Sequence, residues 1–417
     1  MKILLSAFSF APHQGSEPGV GWRWALELAR DHDVVVLTDA TRRAAAQAEL
    51  QRVPAPRLEV VYHRPGWLRS VPLNSRTAQL LYAAWQFSLL PIARQLHSAH
   101  RFDLLVHLTY GVFRHASLLG ALGVPFVFGP VGGGEDAPRR LKRSIAGRER
   151  AKEALRSLLN RLALIDPTLW WSLAKADLIL TKTDQTRVAL PWPFRRRAVV
   201  FPEIGIDAPE GPVGCTERAS GEPLRALFAG RLLGWKGVHL AMWAVAQARS
   251  SGRDIRLDIV GSGPYEATLR GLHRRLALED SVRFMGHVSQ RQLFEMYRAA
   301  HVLLFPSLHD SSGNVVLEAQ AFGCPVICLD IGGPATLVTP RTAFLVATAK
   351  ATEQQVAQGL AASLNTMFDD EPRRATMAHA AQYHARAMTW ESRAVGCLRL
   401  AYERGLIHDL GSGLQAS

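Results

Sequence analysis

Cysteine is scarce in this chain: Cys215, Cys324, Cys328 and Cys397 are scattered along 417 residues. Cys324 and Cys328 bracket Pro-Val-Ile on a predicted strand, where four residues span roughly 13 Å, too far for a disulfide. Reduced, structural cysteines and a cytoplasmic address are expected. Long apolar runs are lacking too. None approaches ~18 residues, so no transmembrane span is expected. The opening Met1-Lys-Ile-Leu-Leu-Ser-Ala-Phe-Ser-Phe10 carries one lysine, lacks a small-residue cleavage site and runs into a glycine-rich loop. It reads as a first strand, not a signal peptide. There is no low-complexity tract, and a hydrophobic content of 48% is enough for well-packed domains, two of them at this length.

Acidic residues are also in short supply, 36 against 49 Lys and Arg, for a net charge of +13 and a pI of about 10.1. Such a balance suits nucleic acid or an anionic membrane. No aromatic RNP-type strand or helix-turn-helix signature accompanies it, so nucleic acid is not an expected partner. Much of the excess lies between Arg139 and Arg161, where nine basic residues face only Glu149 and Glu153. From Ala151, the positions Ala154, Leu155, Leu158, Leu159, Leu162 and Ile165 follow helical spacing with bases between them. This segment, 139–161, reads either as a membrane-surface helix or as a packed helix with a solvated basic face.

Strand and helix signals alternate along the chain. Strands are predicted at Lys2–Phe10, Asp33–Thr38, Leu58–Arg64, Asp103–Thr109, Pro125–Gly129 and Asp177–Thr183, with helices at Gly19–Arg30, Thr41–Arg52, Arg76–Ser98 and Ala116–Leu122. A breaker-rich passage from Pro202 to Pro223 reads as a linker. The rhythm restarts at Leu224–Ala229 and continues through Ile255–Val260, Val282–Met285, His301–Phe305 and Pro325–Asp330, ending in helices after Glu353. The expected class is α/β, two Rossmann-like parallel-sheet domains facing across a cleft. The boundaries are 1–204, 205–386 and a terminal helical segment, 387–417, returning to the first domain.

The segment HDSSGNVVLEAQAFG, His309 to Gly323, organises the functional reading. It follows a short apolar strand and opens into a helix near Asn314. Asp310, Ser311, Ser312 and Asn314 offer cap chemistry, and Gly313 permits close backbone approach, so free N–H groups would converge on an anion, most simply phosphate. Asp310 and Glu318 are either two acids suited to hydroxyls or a helix cap and a solvated face residue. A sugar nucleotide carries phosphate and hydroxyls together, a diphosphate between ribose and a hexose. In Gly230-Arg-Leu-Leu-Gly-Trp-Lys-Gly237, Arg231 and Lys236 flank a turn where two cations can converge on the diphosphate. The opening loop to Trp22 contains Gly15, Gly19 and Gly21, which permit tight turns before a helix. It has no GxGxxG, which counts against a dinucleotide fold.

In that order, GRLLGWKG, IVGSGP, VRFMGHVS and LFPSLHDSSGNVVLEAQAFGCPVICLDIGGP resemble the C-terminal domain of the retaining GT-B glycosyltransferases of family four. The leading GSEPGVGW resembles that family's N-terminal glycine loop. The resemblance implies a nucleotide-sugar donor held mainly by the second domain, a glycan or lipid-linked acceptor held mainly by the first, no metal or other cofactor, and transfer with retention. Carried onto this chain, Arg231 and Lys236 would hold the phosphates, Asp310 the donor-sugar hydroxyls and Glu318 the ribose. Ser312 and the amides of Gly313, Asn314 and Val315 would complete the phosphate cradle. Gly286, His287 and Val288 would line the base, and Gly15 and Ser16 would approach the phosphate.

The chain departs from the family pattern in three places. Asp310 stands where the family's first acid is a Glu, Ala335 and Thr336 follow Gly332-Gly333-Pro334 where an acid is common, and Gly129-Pro130-Val131-Gly132 occupies the place of a His. His107 and His115 are then candidates to serve an acceptor hydroxyl, or are satisfied structural residues. The function expected is glycosyl transfer in cell-surface polysaccharide or lipopolysaccharide assembly, cytoplasmic and peripheral on the inner membrane face. The alternatives are a non-catalytic sugar-nucleotide binder and a basic nucleic-acid binder.

Overall fold

The structure is a computed structural model that describes residues 1–15, 17–74, 77–145, 147–207 and 217–408. The chain divides into two compact units, the first made of Met1–Gly134, Leu158–Gly205 and Trp390–Ser417, the second of Glu135–Ser157 and Ile206–Thr389.

The first unit holds β1 (Lys2–Ala7), β2 (Asp33–Asp39), β3 (Leu58–His63), β4 (Leu104–Thr109), β5 (Phe126–Val131), β6 (Leu178–Thr181) and β7 (Ala198–Val200), in the order β3-β2-β1-β4-β5-β6-β7. Every neighbouring pair is parallel. Strands buried on both faces need continuous apolar runs, and β1, β4 and β5 supply them. Phe8, Trp85, Phe113, Phe126 and Phe128 fill the core on one side of this sheet. The three-residue β7 was not expected. The segment Ala116–Leu122, expected as a helix, holds only the 3₁₀ stretch Leu118–Leu122.

The second unit holds β8 (Leu224–Ala229), β9 (Ile255–Val260), β10 (Val282–Gly286), β11 (Val302–Phe305), β12 (Val326–Leu329) and β13 (Ala343–Val346), in the order β10-β9-β8-β11-β12-β13. This sheet is also parallel throughout. β13, a short strand after Gly332–Thr336, escaped the sequence reading. Helices Val238–Ser250 and Glu353–Asp369 pack on one another over it.

Two excursions modify a simple cut near residue 205. The terminal helix Trp390–Glu403 packs on the first unit's helix Glu17–Leu28, and its Arg393 Nε donates to the Ile204 carbonyl at 3.1 Å. In the other direction, residues 135–157 leave the first unit and fold on the second. There the Ser144 amide donates to Glu353 Oε1 at 2.9 Å, and the Tyr265 hydroxyl donates to the Ser144 carbonyl at 3.0 Å. Among the described residues, no helix is long and apolar enough to cross a membrane. Cys324, Cys328 and Cys397 are buried and free, while Cys215 lies outside the described residues.

The glycines of the two leading loops serve different ends. Gly237 adopts φ +71°, and a Cβ there would fall 1.9 Å from the Pro306 carbonyl oxygen, so the turn after β8 closes on the turn after β11 only with glycine. Gly15 has nothing within 4 Å of a notional Cβ. Gly237→Ala is therefore expected to destabilise the protein by at least about 2 kcal/mol, whereas Gly15→Ala stays within about 0.5 kcal/mol of the parent. Thermal unfolding of the two variants side by side checks this; equal melting temperatures would refute the steric account.

Candidate functional site

In an open parallel sheet, the crevice where strand order reverses is the natural ligand position, beyond the strands' carboxyl ends. In the second unit the reversal lies between β8 and β11. The chain leaving β8 forms the 3₁₀ turn Gly234–Lys236, and the chain leaving β11 runs through His309 and Asp310 to Gly313, the cap of helix Asn314–Ala321. These turns meet directly: Lys236 Nζ donates to Asp310 Oδ2 and lies 5.1 Å from the centroid of the Phe305 ring. Both side chains are largely sequestered, at 18% and 16% exposure, which makes their mutual neutralisation necessary.

Asp310 is the centre of this turn. Its Oδ1 accepts from the Ser312 amide at 3.2 Å and the Gly313 amide at 3.1 Å. Burial alone would raise its pKa, but Lys236 and those two amides together hold it below the ordinary carboxylate value. Gly313, with φ +74°, is the helix cap, a position the sequence reading had left to Asp310, Ser311, Ser312 or Asn314. The amides of Ser312 and Gly313 are thereby occupied. Those of Asn314 and Val315, in the first helical turn, have no intrahelical carbonyl to bind. Gly332 and Gly333 brace the turn from behind, since a Cβ on either would fall 2.6 Å from the carbonyl oxygen of Asp310 or Ser311.

Glu318 is not the solvated face residue that a helical wheel allows. Its Oε2 accepts from the buried Tyr297 hydroxyl at 3.1 Å, and burial, partly offset by that bond, raises its pKa. Arg231 differs from Lys236. Its side chain is exposed and has no hydrogen-bond or ion-pair partner among the described residues, so the two cations do not act on one atom here. Gly286 ends β10 with φ +68° and its carbonyl accepts from the Gly261 amide at 2.7 Å; exposed His287 and half-buried Val288 follow.

In the first unit the reversal lies between β1 and β4. Glu17 opens the helix after the glycine loop, and its carboxylate accepts from the Tyr110 amide just beyond β4. It also lies 3.3 Å from Lys182, which in turn sits 2.8 Å from Glu203. Burial would lower the Lys182 pKa, but Glu203 and Glu17 raise it, so the ammonium stays charged in the core. Lys182 and Glu203 went unread because nothing local marks them. Gly19 and Gly21 lie inside the helix, where a Cβ would fall 2.1 Å from the Gln14 carbonyl oxygen and 2.4 Å from that of Ser9. They allow the helix to pack closely on the loop rather than turning it, as had been expected. Ser16 lies outside the described residues.

His107 and His115 are not equivalent. His107 is fully buried, stacks on Phe128 and has Nε2 3.1 Å from the Tyr82 hydroxyl. Burial, with His115 adding to it, pushes its pKa down to about 3. In this conformation it is a core residue, out of reach of an acceptor. His115 is half-buried, its pKa lowered to about 4 by burial and then by Arg114, so it is a neutral base around pH 7.

Residues 217–384 match the model of the family described as Glycosyl transferases group 1. The matched residues all lie in the second unit. A D-inositol 3-phosphate glycosyltransferase from Corynebacterium aurimucosum is 34% identical over 43% of this chain and 44% of its own length. Another protein of the same name, from Corynebacterium efficiens, is 28% identical over 94% of this chain and 93% of its own. The chain thus spans under half the length of the first curated relative, and nearly all of the second. Anabaena Alr3699/HepE in complex with UDP superposes with a TM-score of 0.60 at 19% identity, covering 96% of this chain and 99% of that one. The two Rossmann-like units are those of the GT-B fold. The matched segment contains Arg231, Lys236, Gly286, His287, Val288, Asp310 and Glu318.

The half-buried Glu318 has a consequence for stability. An acid whose folded pKa lies above its unfolded value destabilises the fold once ionised: the penalty is absent below the unfolded carboxylate pKa of about 4.3 and complete above the folded value. Glu318→Gln removes the charge and keeps an acceptor for Tyr297. Its melting temperature should exceed the parent's near pH 7 by a margin that shrinks as the medium is acidified. A margin independent of pH would contradict this assignment.

Proposed function

We propose that this protein transfers a sugar from a nucleotide-sugar donor to a glycan or lipid-linked acceptor, with retention at the anomeric carbon. The observation that carries the reading is the contact of Lys236 with Asp310 beside the open first turn of helix Asn314–Ala321, with Glu318 on that same helix. The diphosphate takes the amides of Asn314 and Val315 and draws on Lys236, with exposed Arg231 swinging to its outer side. Asp310, relieved of part of its hold on Lys236, receives a donor-sugar hydroxyl, and Glu318 the ribose. Ser312 and Gly313 keep the cradle's shape, and Gly286, His287 and Val288 line the base. By the family resemblance, Gly15 and Ser16 would approach the phosphate. Of the two histidines, His115 is the better placed for an acceptor.

Negative charge grows on the diphosphate as it departs, and Lys236 and the helix N-terminus stabilise it more in the transition state than before it. The cations supply that stabilisation in this scheme, with no metal or other cofactor assigned a step. A departing phosphate oxygen takes the acceptor's proton on the same face, which leaves the protein to orient both substrates.

An anionic membrane surface is the second partner we infer. Helix Gly147–Leu162 turns its acids inward, with Glu149 and Glu153 buried, and presents Leu155, Leu158, Leu159 and Leu162 outward at 37–56% exposure, followed by Ile165 at 78%. Arg150, Lys152 and Arg161 are exposed on the same helix, and Arg139, Arg140 and Arg143 are exposed on the segment before it. A packed helix would bury its leucines. Exposed apolar residues on a helix that also exposes cations fit the interface of an anionic bilayer, which supports a peripheral location.

Two experiments test these readings. Among UDP, GDP and ADP, at least one should raise the melting temperature, and Lys236→Ala should lower turnover by about 10²–10³-fold without unfolding the protein. Near-normal turnover in that variant would remove Lys236 from the chemistry, and nucleotide binding without any transfer would mark a non-catalytic binder. In flotation, the protein should bind phosphatidylserine-containing vesicles at low salt, release as salt rises, and bind less when Leu158 and Leu162 are both replaced by Ser. Absence of binding at low salt ends the membrane reading.

A further inference from the structure

The arm 135–157 carries no residue of the donor motifs, yet it reaches both turns that form the donor side of the second unit. Ile145 is buried against Gly234, where a Cβ would fall 2.9 Å from Ile145 Cγ2. Farther along, buried Glu153 places Oε2 3.3 Å from His309 Nδ1, 3.3 Å from Arg156 Nη2 and 3.6 Å from Lys142 Nζ. The His309 ring stacks on Trp235 with centroids 5.1 Å apart and planes 20° from parallel, while the Trp235 carbonyl accepts from the Leu308 amide at 2.7 Å. Trp235 and His309 are the residues immediately before Lys236 and Asp310.

We propose that the arm is a clamp on the donor turns and that Glu153 is its positioning residue, acting through His309 and Trp235 to keep Lys236 and Asp310 in register. This rests on the donor reading given above. Among the described residues Glu153 makes no hydrogen bond or ion pair with Lys236 or Asp310, so it acts at one remove. Its charge is secure: burial would raise its pKa, but His309, Arg156 and Lys142 hold it down to about 2. A buried carboxylate with fixed cationic neighbours is a stiff anchor, because displacing it leaves charges unpaired in a poorly solvated place. His309 is thus held from one side by the carboxylate and from another by the indole. The arm continues into the helix that bears the outward leucine stripe, so one element serves both partners proposed for the protein.

Glu153→Gln preserves shape and removes the charge. Two measurements on the full-length protein decide its role: hydrogen–deuterium exchange of peptides covering 231–237 and 306–313, and calorimetric titration with UDP, GDP and ADP. The variant should exchange faster in both peptides while those of β9 and β12 stay unchanged. Its dissociation constant for the nucleotide that the parent binds should rise about tenfold, and His309→Asn combined with Glu153→Gln should lose no more than His309→Asn alone. Unchanged exchange in the turns, unchanged affinity despite faster exchange, or additive losses in the double variant would each overturn the proposal. If the parent binds none of the three nucleotides, the donor reading is what has failed. Exchange alone then decides whether Glu153 holds the two turns.

Discussion

Opposite charges sequestered together at the end of a parallel sheet govern this molecule. Lys236 and Asp310 arrive from strands that are neighbours in space but far apart in sequence, and both are largely shielded from solvent. Such a pair contributes little net stability, because desolvation offsets most of its attraction. What it does supply is position. A lysine already desolvated and aimed beside an open helix N-terminus needs little reorganisation when a more highly charged anion replaces its partner, and this is the condition under which electrostatic stabilisation is effective.

The first unit uses the same device at its own strand-order reversal. Glu17 ties the loop after β1 to the amide beyond β4, and the buried Lys182 joins it to Glu203. In each unit the loop following the first strand is bound to the loop following the strand that crosses beside it. Parallel sheets bring those two loops together by topology alone, and an ionic or charge-assisted contact then fixes their separation. The short, glycine-bearing turns at Gly237, Gly332 and Gly333 allow the backbones to come close enough for that contact.

The basic segment shows how far a composition can mislead about direction. Nine basic residues between Arg139 and Arg161 left open a membrane-surface helix or a packed one with a solvated basic face. Lys142 and Arg156 instead turn toward the acids Asp136 and Glu153, and the leucines are left outside. Helical spacing records that residues share a face, but it carries no information on whether that face meets protein, water or lipid. The few acids decide here, since a buried carboxylate must have cations and therefore draws the helix's polar side inward.

The strands β1 to β6 and β8 to β12 were legible from the sequence because short β-rich apolar runs alternate with helical periodicity, and so were the turns holding Lys236 and Asp310, where glycine and cap chemistry follow a strand end. The three-residue β7 and four-residue β13 were too short to stand out from their surroundings. Gly19 and Gly21 were read as turn glycines before a helix, but they lie within it and approach the backbone of Gln14 and Ser9. What the sequence by itself determined is therefore the class of each unit and the chemistry available at its strand ends, since both depend on residues adjacent in the chain. Only the tertiary structure decided that Lys236 is held by Asp310 while Arg231 stands free of either, that His107 is core, that Lys182 bridges two acids, and that Glu153 reaches His309. These are pairings between distant segments, set by which charges burial forces together, and burial is a property of the packed chain alone.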